Sequence, residues 1–316
     1  SIPWWGWAVS IVVLLAAFYL LGSINKPTSI YKSLEVEAWF MEMYDEKMEA
    51  WPVPYEDVFV DTKYGKVHII VSGPEDASPV LLFHAGALPS WSWQYIIEDL
   101  NQHYRTYAVD SIGEVGKSVL DDIDHHTRDG QDIGELYVEI SDQLGIYQAD
   151  VIGASYGGFI GTNFMLYAPE RINKLVLIGP MGVTPATGST LLRIMLLVAF
   201  PAEPIRASFA QWMFGESTIV KEEIEEWYHK FVVGVAAREA PPATFTPEQL
   251  QSVQAPVLLI LGDNDNLVGD PEDVKPLAQN ISDIQIEILN AGHGIWIEQP
   301  EQTNSLILEF LDKKDQ

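Results

Sequence analysis

Residues Val151-Ile152-Gly153-Ala154-Ser155-Tyr156-Gly157-Gly158 restrict the fold more than any other stretch of this chain. An apolar strand end runs straight into Gly-x-Ser-x-Gly, and a helical run from Phe159 to Tyr167 follows. Glycines two before and two after the serine permit a very tight strand-to-helix turn. A side chain at either place would meet the neighbouring strand or helix. Such a turn raises the serine hydroxyl above the sheet edge, beneath a fresh helix N-terminus whose unpaired N–H groups favour negative charge. Taken alone, the stretch also reads as a glycine-rich turn with an incidental serine, so the rest of the chain decides between the two.

A chain of 316 residues can bury a large core, as one big domain with an insertion or as two domains. Its 45 Asp and Glu against 18 Lys and Arg give a formal net charge of −27. A surface of that sign repels phosphate backbones, which excludes nucleic acid as a partner. The absence of cysteine removes disulfides, thiolate catalysis and Cys-zinc sites.

Trp4 to Leu21 carries no charge, with tryptophans clustered at one end and Tyr19 near the other. At 1.5 Å per residue such a run reaches roughly 28 Å, close to a bilayer core. The expectation is a single membrane-spanning anchor within residues 1–24, or an uncleaved signal, and hence a membrane localisation through residues 4–21. Residues 25–54 then read as a linker and an amphipathic helix. Trp39, Phe40, Met43, Tyr44, Met48 and Trp51 recur there at three- and four-residue steps, a stripe expected to pack on the body of the protein.

From Tyr55 the pattern alternates strands and helices. Asp57–Thr62 and Lys66–Val71 pair as a hairpin around Tyr64-Gly65. The apolar run Pro79–Phe83 suits a strand buried on both faces, and it ends in His84-Ala85-Gly86-Ala87, small residues that let main-chain N–H groups line a cavity. His84 at the strand end is read as orienting that loop. After the strand Arg105–Asp110, Gly116-Lys117-Ser118 mimics the end of a phosphate-binding loop. The full pattern needs a glycine five positions before Gly116, and Ser111 stands there. His125-His126 lacks further ligands at fitting spacing, so no metal is expected there. Strands follow at Lys174–Ile178, Pro256–Leu261 and Ile284–Leu289, and a final helix at Glu301–Leu311. Met181 to about Leu250 interrupts the alternation as a mostly helical insertion broken by prolines. It is expected to roof the serine, with Ala87, Met195, Trp212 and Met213 facing a substrate pocket.

Three chemically active groups fall on loops after strands: Ser155, an acid at Asp263 or Asp265, and His293. Loops at the carboxyl ends of parallel strands are where α/β sheets carry their chemistry. The order serine, acid, histidine, together with Leu82-Phe83-His84-Ala85-Gly86, Tyr107–Gly113, Gly153–Gly158, Leu261–Asp265 and Ala291-Gly292-His293, resembles the α/β-hydrolase superfamily over roughly Tyr55 to Leu311, and most closely its bacterial carboxylesterase-like members. The resemblance implies an α/β-hydrolase fold, with a mostly parallel central sheet, helices on both faces and a helical cap insertion. The core would comprise residues 55–180 and 251–316, and the cap residues 181–250. The superfamily's Gly-x-x-Asp motif maps onto Gly262 to Asp265 and so favours Asp265 over Asp263. It further implies an oxyanion hole made by the N–H groups of Gly86 and Tyr156.

A serine hydroxyl is a weak nucleophile at neutral pH and needs an adjacent base. His293 would take its proton, and Asp265 would hold the imidazole tautomer. The expected activity is hydrolysis of a small hydrophobic carboxylic ester through an acyl-serine, without cofactor or metal. The alternatives are a carbon–carbon bond hydrolase or cofactor-free perhydrolase on the same triad, and a ligand receptor with little turnover.

Overall fold

The apolar runs become neighbours in one sheet. The computed structural model describes residues 28–215, 217 and 224–313. Its strands are β1 (Tyr55–Thr62), β2 (Gly65–Ser72), β3 (Ser78–Phe83), β4 (Tyr104–Val109), β5 (Val119–Leu120), β6 (Ala149–Ala154), β7 (Ile172–Ile178), β8 (Val257–Gly262) and β9 (Ile284–Leu289). Among the described residues they form one sheet in the order β1-β2-β4-β3-β6-β7-β8-β9, with β5 on β2. Strands β1, β2 and β5 join antiparallel, and every pair from β4 to β9 is parallel. This is the α/β architecture expected from the alternating pattern.

Strands β6 and β8 are buried at every position, because helices cover both faces of a parallel sheet. Successive side chains point to opposite faces and so split the core into two layers. Leu82, Ile152, Val176 and Leu258 lie in register on one face; Leu81, Val151, Leu177 and Leu259 fall on the other. The first layer is closed by α1 (Leu34–Glu49), the short α2 (Ile97–Leu100) and, later in the chain, the last helix, Pro300–Asp312. The second is closed by α3 (Gly130–Gln143) and α4 (Tyr156–Tyr167).

Helix α1 starts where the Ser33 side chain accepts a hydrogen bond from Val36 N, relieving one of the unpaired donors of the first turn. Phe40, Tyr44 and Met48 bury its inner face, so the aromatic stripe packs on the body.

Between β7 and β8 the chain leaves the sheet as α5 (Gly188–Ala199), α6 (Glu203–Phe214), α7 (Glu225–Gly234) and α8 (Pro247–Gln251). Residues 235–246, read from sequence as part of a mostly helical insertion, run without a helix. Pro241 and Pro242 cannot donate to one, and the backbone instead bonds outward, Arg238 N to Gly113 O and Phe245 N to Gly182 O. The elements after β8 are α9 (Pro271–Ala278), α10 (Ile295–Glu298) and α11 (Pro300–Asp312).

The membrane expectation needs correcting. The stretch 4–21 on which it rested lies outside the described residues, and among the described residues no helix is long and apolar enough to cross a membrane. Nothing in the described structure carries a single-pass membrane localisation, and that expectation is withdrawn.

Candidate active site

Three loops at the carboxyl ends of β6, β8 and β9 converge. Ser155 sits between β6 and α4 with φ 50° and ψ −111°, a backbone region that side chains rarely adopt and that is found where the fold over-determines it. The glycines around it enforce the turn. A Cβ on Gly157 would lie 1.8 Å from Phe83 O, and one on Gly153 would lie 2.3 Å from Gly157 O. Ser155 N donates to Ile178 O at 2.9 Å, and Ser155 O accepts from Met181 N at 3.0 Å, which pins the turn to β7 and the loop after it.

His293 Nε2 lies 2.8 Å from Ser155 Oγ, and His293 Nδ1 lies 2.8 Å from Asp265 Oδ2. The other oxygen of Asp265 accepts from Leu267 N at 2.9 Å and from Val268 N at 3.0 Å. All three residues are 4–5 % exposed. Asp263, the other candidate acid, is exposed and faces away: its Oδ1 accepts from Asn264 Nδ2 at 2.7 Å and from Ala291 N at 3.2 Å. Its work is to fasten the loop that carries His293.

That loop has a second fastener that the sequence reading missed. Glu298, on α10, accepts from Gly292 N and Gly294 N, each at 3.1 Å, so one carboxylate grips both sides of His293. Burial pushes the Glu298 carboxyl above its ordinary range, against the lowering effect of those two N–H groups. The spacing of Glu298, five residues beyond His293, carries no signal of its own in the sequence.

Gly86 and Tyr156, the two expected oxyanion donors, are neighbours: a Cβ on Gly86 would lie 3.7 Å from Tyr156 Cβ. Tyr156 opens α4, so its N–H belongs to the first turn, whose donors have no partner within the helix. His84 orients the loop from below. Its Nδ1–H donates to Ala85 O at 2.8 Å, and its Nε2 accepts from Ser111 N at 2.8 Å.

The four expected pocket residues divide. Ala87 is buried beside Gly86 in the same loop. Met213 is buried, and its carbonyl accepts from His293 N at 3.1 Å. Trp212 is half-buried and packs on Phe209 at 5.3 Å, while its carbonyl accepts from Asn266 Nδ2 at 2.9 Å. Met195, on α5, is 67 % exposed. This helix is apolar on nearly every side, so its sequence could not show which face turns inward. A small cavity of about 90 Å³ lies beside the loops after β7 and β8, lined by Pro180, Met181, Thr190, Ile194, Leu267 and Val268 among others; none of the three catalytic candidates lines it.

The glycine-lysine-serine loop is consumed internally. Lys117 N donates to Asp110 Oδ2 at 2.9 Å, Ser118 Oγ to Asp110 O at 2.6 Å, and Lys117 Nζ pairs with Asp45 at 2.7 Å. Asp110 also holds His68 Nδ1 at 2.8 Å, and Asp57 holds His68 Nε2 at 2.7 Å.

The protein-family description "Alpha/beta hydrolase family" matches residues 80–306. The carboxylesterase YbfK of Bacillus subtilis is 33 % identical over 291 residues, covering 89 % of this chain and 96 % of that protein. A second Bacillus subtilis protein, the uncharacterised carboxylesterase nap, is 30 % identical over 91 % of this chain and 97 % of its own length. The crystal structure of Bacillus subtilis carboxylesterase CesB (YbfK) superposes with a TM-score of 0.81 at 30 % identity, over 89 % of this chain and all of that one. The chain belongs to the α/β-hydrolase family. Its relatives at about 30 % identity over most of its length are named carboxylesterases.

Proposed function

We propose that this chain hydrolyses carboxylic esters with Ser155 as nucleophile, His293 as general base and acid, and Asp265 as the group that orients the imidazole. The observation that carries the reading is the unbroken relay from Asp265 Oδ2 to His293 Nδ1 and from His293 Nε2 to Ser155 Oγ, 2.8 Å at each step. Family membership and the named carboxylesterases among the relatives support the ester class.

With Asp265 accepting from Nδ1–H, the imidazole presents Nε2 as an acceptor to the serine hydroxyl. Ser155 Oγ attacks the ester carbonyl carbon as its proton passes to Nε2. The carbonyl oxygen becomes an oxyanion that the N–H groups of Gly86 and Tyr156 stabilise. Collapse expels the alcohol, which takes the proton from Nε2, and leaves acyl-Ser155. Water then repeats the sequence and releases the acid. Removing one oxyanion donor in such a site typically costs about 10²–10³ in kcat.

Residues 55–180 and 251–316 form the catalytic core in this reading, and residues 181–250 form a cap over the serine. The burial of all three triad side chains fits a covered site, and the substrate in this reading is a small hydrophobic ester. The test is the hydrolysis of p-nitrophenyl esters of graded chain length by wild type and Ser155→Ala. Hydrolysis strongest for the short and medium esters, with loss of turnover in the variant by about 10⁴ or more, is expected. Full esterase activity in Ser155→Ala would end the proposal.

A further inference from the structure

One residue beyond Gly86, the backbone takes a turn that needs holding. Ala87 has φ 65°, a left-handed conformation that residues with a Cβ rarely adopt. Both of its main-chain polar groups are gripped by buried side chains. Its N–H donates to Glu114 Oε2 at 2.9 Å, and its carbonyl accepts from Trp227 Nε1 at 2.6 Å. Glu114, on the loop after β4, and Trp227, on α7, are each 1 % exposed. One peptide upstream, the Ala85 carbonyl accepts from His84 Nδ1 at 2.8 Å and from Leu88 N at 3.1 Å. That carbonyl shares its planar trans peptide with Gly86 N–H, so the direction of the oxyanion donor is fixed by what holds this loop.

The mechanism above uses neither Glu114 nor Trp227, and a buried carboxylate is costly unless its hydrogen bonds are made. We propose that Glu114 and Trp227 are positioning residues of the oxyanion hole: they clamp Ala87 from the core and from the cap, so the seating of the cap on the core sets the aim of Gly86 N–H. The proposal rests on the reading of Ser155 as nucleophile and extends it to how the site is assembled.

The clamp continues into a second acid. Glu239, in the non-helical stretch after α7, is buried facing Glu114, and its Oε2 has no hydrogen-bond partner among the described residues. Two buried carboxyl groups that face each other avoid like-charge repulsion when one of them carries a proton. Burial pushes both carboxyls up, Glu239 well above the ordinary range with the facing charge of Glu114 adding to it. Glu239 therefore keeps the proton, and Glu114 presents its charge to Ala87 N–H. The stretch is registered by Arg238 N on Gly113 O at 2.8 Å, and by Tyr156 Oη, which donates to Ala240 O at 2.8 Å. The other titratable groups facing the pair are His84 from the loop after β3, Tyr156 from α4, Tyr137 from α3 and Tyr31 from the segment before α1.

The experiment is steady-state hydrolysis of p-nitrophenyl butyrate from pH 6 to pH 10 by the full chain. Wild type is compared with Glu114→Ala, Glu114→Gln, Trp227→Phe and Glu239→Gln, and fluorophosphonate labelling of wild-type Ser155 is followed in parallel. Glu114→Ala should lower kcat by about 10–100-fold, a fraction of the loss from deleting an oxyanion donor, with KM within about threefold. Glu114→Gln keeps an acceptor oxygen for Ala87 N–H and should recover most of that kcat. Trp227→Phe keeps the ring and loses only the donor, so it decides the question even if Glu114→Ala fails to fold; a kcat loss of about 5–20-fold is expected of it, on the same scale. Glu239→Gln donates at every pH, so its alkaline fall in kcat should lie at higher pH than in wild type. Wild-type kcat in Trp227→Phe or Glu114→Ala overturns the proposal. So do equal losses in Glu114→Ala and Glu114→Gln, and an alkaline limb unmoved in Glu239→Gln. Absence of label on wild-type Ser155 would instead overturn the catalytic reading beneath it.

Discussion

Replacing Asp265 by asparagine tests the relay through a single proton. Asp265 Oδ1 accepts from Leu267 N at 2.9 Å and from Val268 N at 3.0 Å, while Oδ2 faces His293 Nδ1 at 2.8 Å. Two buried N–H groups need an acceptor. In Asp265→Asn the amide oxygen must turn to them, which leaves the NH₂ group against Nδ1. A donor there forces the imidazole proton onto Nε2, the atom that has to accept from Ser155. The wrong tautomer in such a triad costs about 10⁴ in kcat, or about 5 kcal/mol of barrier at 1.36 kcal/mol per decade. The control is Asp263→Asn. Its partners, Asn264 Nδ2 and Ala291 N, are also donors, so an amide oxygen serves them equally. At an exposed site the change should stay within about threefold. Initial rates on p-nitrophenyl butyrate at pH 8, with thermal melts to check folding, measure both. The reasoning fails if Asp265→Asn keeps more than a tenth of wild-type kcat, or if Asp263→Asn loses as much.

Other perturbations follow from the same structure. A methyl group on Gly157 would lie 1.8 Å from Phe83 O, so Gly157→Ala should cost about 1–3 kcal/mol of stability, read by denaturant unfolding; a wild-type midpoint would refute the tight-turn argument. His68 is buried, which disfavours its charged form, but its hydrogen bonds to Asp110 and Asp57 outweigh burial and raise its pKa. Its contribution to stability is thus fully present below the ordinary histidine value of about 6.5 and fades as pH rises through the raised one. The melting-point gap between wild type and His68→Gln should be widest near pH 6 and shrink by pH 9; a gap that widens with pH would contradict this. For Asp110, burial is outweighed by His68, and the carboxyl is held well below the usual carboxylate range. Its contribution is present above about pH 3.9 and is lost as pH falls through the lowered value. The stability lost in Asp110→Asn should therefore stay nearly constant from pH 6 down to pH 4, measured by the same melts.

The sequence carried the parts of this site that are local. Gly153, Ser155 and Gly157 announce the turn by their spacing, though the closest approach at Gly157 is to Phe83 O in β3. The loop holding Asp265 follows an apolar run that suits a buried strand, and the loop holding His293 follows the alternating, half-buried run Ile284–Leu289. Period-two alternation along those strands then set which side chains fill which layer. What was hidden is what depends on packing between distant segments. Nothing in the sequence marks Glu114, because its partner Ala87 lies 27 positions upstream. Trp227 carries no signal for the same reason, its bond to the Ala87 carbonyl spanning 140 positions. Met195 was placed inward because a helix that is apolar nearly all round has no face marked as outer. The two-residue strand β5 is too short for any periodicity to show.

Mass spectrometry after reaction with a fluorophosphonate tests the catalytic assignment most directly. One adduct per chain, located on Ser155, abolishing esterase activity in step with labelling and failing to form at an appreciable rate in His293→Ala, is the result this account expects. An adduct on any other residue, or esterase activity that survives complete modification of Ser155, would contradict it.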